Sequence, residues 1–280
     1  MKCSLATKTR AFLKLIRPEL CIMGLIGVFV GGIINGFEYA SFNLFLAMIV
    51  VVLMTAGSMA FNDYFDWEID KMIHPERPIP SGRLLPKESL WFAISSFFVA
   101  LIFSFFINVV CFGIVVLSIG FLVLYEKFLK NQGLVGNIVV AFLSSMAFTF
   151  GGASVGQLHD ALILSVMAFL LMLGREILMD VRDIKGDSLR RITLPMKIGK
   201  KYAIYLGCIF LAMTIALTPL PALWDILSVW YLIIIIPVDF LIAYAIILSI
   251  KDMQNTGRTT DIVRLGMALG LIGFVVGIIP

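Results

Sequence analysis

Apolar residues run along this chain in long blocks, separated by short segments where the charges collect. Nine such blocks can be drawn, at about 19–36, 42–64, 90–107, 109–125, 134–152, 161–180, 201–218, 226–249 and 262–280. Each is near the roughly 17–25 residues that carry a helix across a bilayer. The third and fourth are nearly continuous and are cut at Asn108. Backbone polar groups cannot be left unpaired in lipid, so the blocks read as nine transmembrane helices. The whole chain, 1–280, then reads as one all-α polytopic membrane domain. Composition agrees: 60% of residues are hydrophobic, 14% are charged and mean hydropathy is +1.02, which excludes a soluble domain. The first block follows a basic head but leads straight into further spans, so it reads as a retained helix and not a cleaved signal.

The polar segments differ sharply in charge. With nine spans, the N-terminal segment and loops 2–3, 4–5, 6–7 and 8–9 share one side of the membrane. They hold 5, 4, 2, 8 and 3 Lys and Arg, which accounts for all 22. The positive-inside rule makes that side cytoplasmic, with the C-terminus on the opposite side of the cell membrane. The net charge of +4 is therefore mostly topology and calls for no nucleic acid. No feature implies an obligate protein partner. The four cysteines, Cys3, Cys21, Cys111 and Cys208, show no metal-type spacing and read as packing thiols.

Two acid-rich segments follow the second and sixth blocks. In the first, Asn62, Asp66 and Asp70 are spaced i, i+4, i+8; in the second, Asp180, Asp183 and Asp187 are spaced i, i+3, i+7. Either spacing stacks its side chains along one helical face. Two such faces across a pocket would offer oxygen ligands of the kind Mg²⁺ uses to hold a diphosphate, since magnesium takes a few carboxylates together with substrate phosphate oxygens. Here the acids border an apolar interior, which points to a lipid diphosphate. The bland alternative is a solvated helix end, and two aligned acid blocks with matched basic loops argue against it. Asp63 points about 100° from Asn62 and either ligates or orients a neighbour. Glu68 lies off the stripe and reads as a solvated or salt-bridged residue.

The first segment continues through His74, Pro75 and Arg77 to Gly82 and Arg83, a Pro-rich stretch that stops the helix and can fold Arg77 back over the carboxylates. The second runs on into Arg190, Arg191, Lys197 and Lys200, and loop 4–5 carries Tyr125, Lys127, Lys130 and Asn137. Arg77, Lys127 and Lys130 are candidates to stabilise charge growing on a leaving diphosphate. Arg175 and Glu176 read as a structural ion pair. Asp239, inside the eighth span, reads as a hydrogen-bonded packing residue, although an intramembrane acid invites a functional reading. His74 is expected at the surface and His159 on the outer side. The many Phe and Met are mostly packing residues, with a few lining a cavity where aromatic faces could shield an allylic cation.

Other membrane functions fit less well. Cation transporters place their sites near the midplane on broken helices, whereas both acid segments lie at one membrane edge. A CDP-alcohol phosphotransferase would carry an Asp-Gly-x-x-Ala-Arg signature, which does not occur.

The residues resemble a family, the UbiA superfamily of intramembrane aromatic and lipid prenyltransferases. Asn62-Asp63-x-x-Asp66-x-x-x-Asp70, the trailing Arg77-Pro-Ile-Pro-Ser-Gly82 and Asp180-x-x-Asp183-x-x-x-Asp187 match its two signatures. Tyr125 followed by Lys130 is similar to its third loop motif, and Arg17-Pro18 to its entry to the first helix. The resemblance implies a helical bundle around a central cavity with a cytoplasmic cap of two acidic loops. It implies two Mg²⁺ ions on an isoprenyl diphosphate, with Asn62, Asp63, Asp66, Asp70, Asp180, Asp183 and Asp187 as metal ligands. Asp66, Asp70, Asp180, Asp183 and Asp187 would be the catalytic acids, and Arg77, Tyr125, Lys127 and Lys130 would bind the diphosphate. The Asn-Asp-Tyr-Phe-Asp and Arg-Pro-Ile-Pro-Ser-Gly wording is most similar to the branch that makes archaeal ether lipids. That branch uses geranylgeranyl diphosphate as donor and geranylgeranylglyceryl phosphate as lipid acceptor. An aromatic acceptor, such as a quinone precursor, is the alternative within the superfamily. A phosphorylated acceptor would want a second cationic site, for which Lys14 and Arg17 are candidates.

Overall fold

The computed structural model describes residues 5–188, 191–253 and 256–279, so Cys3 and Arg190 lie outside the described residues. In chain order the helices are α1 (Leu5–Ile16), α2 (Pro18–Ile33), α3 (Phe42–Ile73), α4 (Pro86–Ile107), α5 (Val109–Leu124), α6 (Leu134–Ser154), α7 (Leu158–Arg182), α8 (Ile184–Asp187), α9 (Leu194–Ile198), α10 (Lys200–Leu217), α11 (Leu220–Leu223), α12 (Trp230–Lys251) and α13 (Thr256–Gly277). A 3₁₀ turn at Phe37–Tyr39 precedes α3, and a π-helical turn at Tyr125–Leu129 extends α5. No strand occurs among the described residues.

Eight helical stretches are long and apolar enough to cross a membrane: α3, α4, α5 with its π turn, α6, α7, α10 with α11, α12 and α13. The first expected span is shorter than the sequence pattern implied. It folds as α2, whose 16 residues reach only about 24 Å, because the chain turns at Asn35 and Gly36, the latter at φ 131°. The expectation of nine helices of membrane length is corrected to eight and one short apolar helix. Val28, Val30 and Ile33 of α2 are fully buried, and the helix packs on both α3 and α6.

Local chemistry sets the breaks. At the junction drawn near Asn108, the backbone of that residue is extended and caps both helices. Its side-chain oxygen accepts from Cys111 N at 2.8 Å and its amide donates to the Ala153 carbonyl at 2.9 Å, so the polar break is satisfied inside an apolar environment. Ser41 caps α3 through Leu44 N at 3.3 Å, and Pro18 and Pro86 open α2 and α4, where a missing N–H costs nothing. Close approach of α2 and α6 depends on glycine. A Cβ on Gly31 would lie 2.1 Å from the Phe148 carbonyl oxygen, and one on Gly151 would lie 2.0 Å from that of Val28. Asp239 accepts from Thr218 Oγ1 at 2.7 Å, the packing arrangement expected of it. Cys21, Cys111 and Cys208 are buried thiols with no disulfide.

Contacts between helix ends bring the acid-bearing termini together. Side-chain hydrogen bonds pair Arg17 at the start of α2 with Asp63 on α3, Lys130 after α5 with Asp66 on α3, and Asn137 at the start of α6 with Asp180 near the end of α7. A separate cavity of about 690 Å³, bordered by Asn35, Asp160, Trp224, Asp225 and Ser228, opens among the opposite helix ends.

Candidate active site

The first acidic motif stays helical throughout, because α3 continues about two and a half turns past the end of its apolar block. Its buried stripe is not the one the spacing suggested. Asp63, Asp66 and Asp70 are only 4%, 8% and 1% exposed, whereas Asn62 is half-buried and faces the turn after α5. The stripe i, i+3, i+7 therefore includes Asp63, and Arg17 Nη2 donates to Asp63 Oδ1 at 2.9 Å. Glu68 is exposed, as its off-stripe position requires.

Each of the three carboxylates holds a cation. Lys130 Nζ reaches both oxygens of Asp66 at 2.8 Å, and Arg77 Nη1 donates to Asp70 Oδ2 at 2.5 Å while standing 3.9 Å from Asp63. Arg77 reaches back over seven residues because the Pro-rich segment is itself a folded turn. Its backbone is closed by Arg77 N to His74 O and Ser81 N to Arg77 O, and Ile79 and Leu84 bury beneath it. His74 pairs with Glu76 at 3.5 Å on the surface, and His159 is exposed beside Asp160.

The second motif does not continue as one helix. α7 ends at Arg182, Asp183 caps it, and a single turn carries the chain to Asp187. Asp180 and Asp187 are buried and both accept from Arg191 Nη2, at 3.2 and 3.1 Å. Asn137 Nδ2 donates the second bond to Asp180 at 2.9 Å. Asp183 instead turns outward, 43% exposed, and pairs with Arg182 at 2.7 Å. Burial works to lower the Arg191 pKa, but Tyr125, Asp187 and Asp180 raise it above the ordinary value, so the guanidinium remains charged. Arg175 and Glu176 form the adjacent pair expected of them at 3.0 Å.

Between the motifs stands the π turn, a departure from regular helix often found at functional sites. Its Tyr125 hydroxyl accepts from Arg191 Nη1 at 3.4 Å on the second-motif side. Glu126, its side chain almost fully buried, accepts from Asn62 Nδ2 at 2.7 Å and pairs with Lys130 at 3.0 Å on the first-motif side. Lys127 is exposed and does not join this network, and Lys14 is likewise exposed and outside it. Sequence reasoning overlooked Glu126 and gave Arg191 and Asn137 no role. The i, i+4 spacing of Glu126 and Lys130 is the one signal that could have marked the first.

Among the described residues, no three acids stand close enough to share an ion as they are arranged. Buried carboxylates from two helices instead share one end of the bundle, each matched by Arg, Lys or Asn. Such a layout can exchange its internal ion pairs for a metal-bound polyanion, because the cations and the acids are already gathered.

Comparison with known proteins bears on this arrangement. The UbiA prenyltransferase family pattern matches residues 24–272. Digeranylgeranylglyceryl phosphate synthase from Methanopyrus kandleri is 36% identical over 271 residues, covering 96% of this chain and 100% of that protein. A solved structure from work on digeranylgeranylglyceryl phosphate synthase in membranes superposes with a TM-score of 0.80 at 33% identity, covering 97% of this chain and 99% of the other. A UbiA homolog from Archaeoglobus fulgidus bound to DMAPP and Mg²⁺ shares the fold at a TM-score of 0.66 and 19% identity, covering 95% and 99%. The helical order, the paired acidic motifs and these matches along nearly the whole chain have one reading: this chain belongs to the UbiA prenyltransferase family.

Proposed function

We propose that this protein transfers a geranylgeranyl group from its diphosphate to the free hydroxyl of geranylgeranylglyceryl phosphate, at the cytoplasmic face of the cell membrane. The observation that carries this reading is the pair of buried carboxylate sets on α3 and α7–α8, each gripped by basic side chains and bridged by the π turn. Relatives 33–37% identical over nearly their full length bear the name digeranylgeranylglyceryl phosphate synthase, which supports the lipid acceptor.

The donor set suits Mg²⁺: it is all oxygen and rich in carboxylate. A three-acid cage is not needed, since magnesium takes one or two carboxylates and completes its shell with water and substrate phosphates. Asp63, Asp66 and Asp70 on α3, with Asp180 and Asp187 from the second motif, would hold it, Asn62 and Asp183 standing beside them. Bound Mg²⁺ supplies charge neutralisation for the leaving diphosphate.

The chain's own residues do the rest. Arg77, Lys130 and Arg191 trade carboxylate for diphosphate oxygens, and Tyr125 steadies Arg191. The allylic C–O bond breaks with its electron pair going to the diphosphate, where these cations offset the growing charge. The acceptor oxygen forms the new C–O bond, and its proton leaves to the released diphosphate or to a carboxylate of the site. The apolar helices around the site keep water from the allylic cation.

Purified protein incubated with geranylgeranyl diphosphate, Mg²⁺, geranylgeranylglyceryl phosphate and 4-hydroxybenzoate tests the reading through product masses. Digeranylgeranylglyceryl phosphate should dominate, and excess chelator should stop its formation. Preference for the benzoate would overturn the lipid acceptor, and unchanged turnover in chelator would overturn the metal.

A further inference from the structure

Beside the carboxylate site, a groove of about 470 Å³ runs between α1 and the loop leaving α3, lined by Thr7, Arg10, Lys14 and Arg83. Thr7, Arg10 and Lys14 are spaced i, i+3, i+7 and so form one stripe along α1. Three residues further on, Arg17 turns the chain at φ 49°, a strained conformation immediately before Pro18, and bonds Asp63. The stripe therefore leads directly to the carboxylate site. Arg83 arrives from the other wall, held by Nε to Ser81 Oγ at 2.7 Å and by a bond to the Glu76 carbonyl. The same loop thus delivers Arg77 to Asp70 and Arg83 to the groove.

The groove is built before anything binds. Ala11 and Leu15 are fully buried beneath α1 against Ala60, Ile79 and Leu84, and Lys8 on another face pairs with Glu88 at 2.7 Å. Its charge is unbalanced. Arg17, Arg77, Lys130 and Arg191 each hold a carboxylate, whereas among the described residues Arg10, Lys14 and Arg83 form no ion pair. Three like charges and a hydroxyl gathered at a membrane edge, with no acid lining the groove, are complementary to an anion. Guanidinium groups match phosphate oxygens in particular.

We infer that this groove seats the phosphate of the lipid acceptor, an inference that rests on the reading of the acceptor as a phosphorylated glyceryl ether. In geranylgeranylglyceryl phosphate the phosphate and the free hydroxyl sit on adjacent carbons. Anchoring the first in the groove therefore holds the second beside Arg17 and the isoprenyl diphosphate site, with the alkyl chain left to the apolar bundle. An anionic bilayer phospholipid offers similar chemistry and is the competing source.

Kinetics of the Arg10→Gln/Lys14→Gln double variant and of Arg83→Gln, in nanodiscs of phosphatidylcholine alone and with phosphatidylglycerol, separate these sources. The acceptor KM should rise about tenfold or more in both bilayers, as the loss of charge-assisted hydrogen bonds implies, while the KM for geranylgeranyl diphosphate holds. The KM for the dephosphorylated ether, already weak, should not move, because the group these cations grip is gone. A rise confined to phosphatidylglycerol bilayers would assign the groove to bulk lipid and overturn the inference. So would an unchanged acceptor KM, or an equal rise for the dephosphorylated ether. If the unaltered protein does not use geranylgeranylglyceryl phosphate at all, the acceptor reading itself is what fails.

Discussion

Asp66 and Asp180 are buried on different helices, and each is engaged by a side chain far away in sequence, Lys130 for one and Asn137 for the other, with Arg191 also reaching Asp180 from 11 residues on. Replacing either by Ala removes a charged oxygen donor while leaving helix packing intact, since Ala is the best helix former. Turnover should fall by about a hundredfold or more, a loss comparable to deleting one preorganised electrostatic group. The variants should still elute as folded protein in detergent. Near-normal turnover in either would refute the assignment of both motifs to one site. At this scale the sequence exposed the residue types but not all of their partners. Asp63 could not be assigned from helical geometry, because whether it ligates or merely orients depends on which face α4, α6 and the Arg17 turn leave buried. Glu126 was missed for the same reason: its partner Asn62 lies 64 residues away, and only folding brings them together.

At the scale of elements, the apolar blocks located the membrane helices and Asn108 located the break, because both follow from local chemistry. The π turn was not legible: Tyr125-Glu-Lys-Phe-Leu129 is compatible with ordinary helix. The break at Asp183 was hidden by a spacing that fits an unbroken helix equally well. Glycine gives a direct test of how the elements pack. Gly151→Ala would press a methyl into the Val28 carbonyl of α2, a backbone atom that no rotamer change can move aside. Its thermal unfolding midpoint should drop, and its activity with it, since α2 follows Arg17 and α6 carries Asn137. Gly120→Ala meets nothing within 4 Å and gains helix propensity, so its midpoint should hold or rise. If the two variants unfold alike, close α2–α6 contact is not what holds this half of the bundle.

Across the whole molecule, access of substrates to the site turns on orientation. Both acidic motifs, the cations that pair with them and the α1 groove all occupy one end of the bundle. The positive-inside count predicts that this end is cytoplasmic, and eight long helices with one short one preserve the crossing order the count assumes only if α2 traverses the bilayer despite its length. Single cysteines can decide this in a background where Cys3, Cys21, Cys111 and Cys208 are replaced by Ser. Glu76→Cys lies in the loop after α3 with a side chain 73% exposed, and His159→Cys lies at the start of α7 at 91%. An impermeant maleimide should label Glu76→Cys only from the cytoplasmic side and His159→Cys only from outside. Labelling of both from the same side would mean that an odd number of crossings does not separate them, and would undo the topology. Labelling of each from the opposite side to that expected would keep the bundle but turn the active site outward, where a cytoplasmic diphosphate could not reach it.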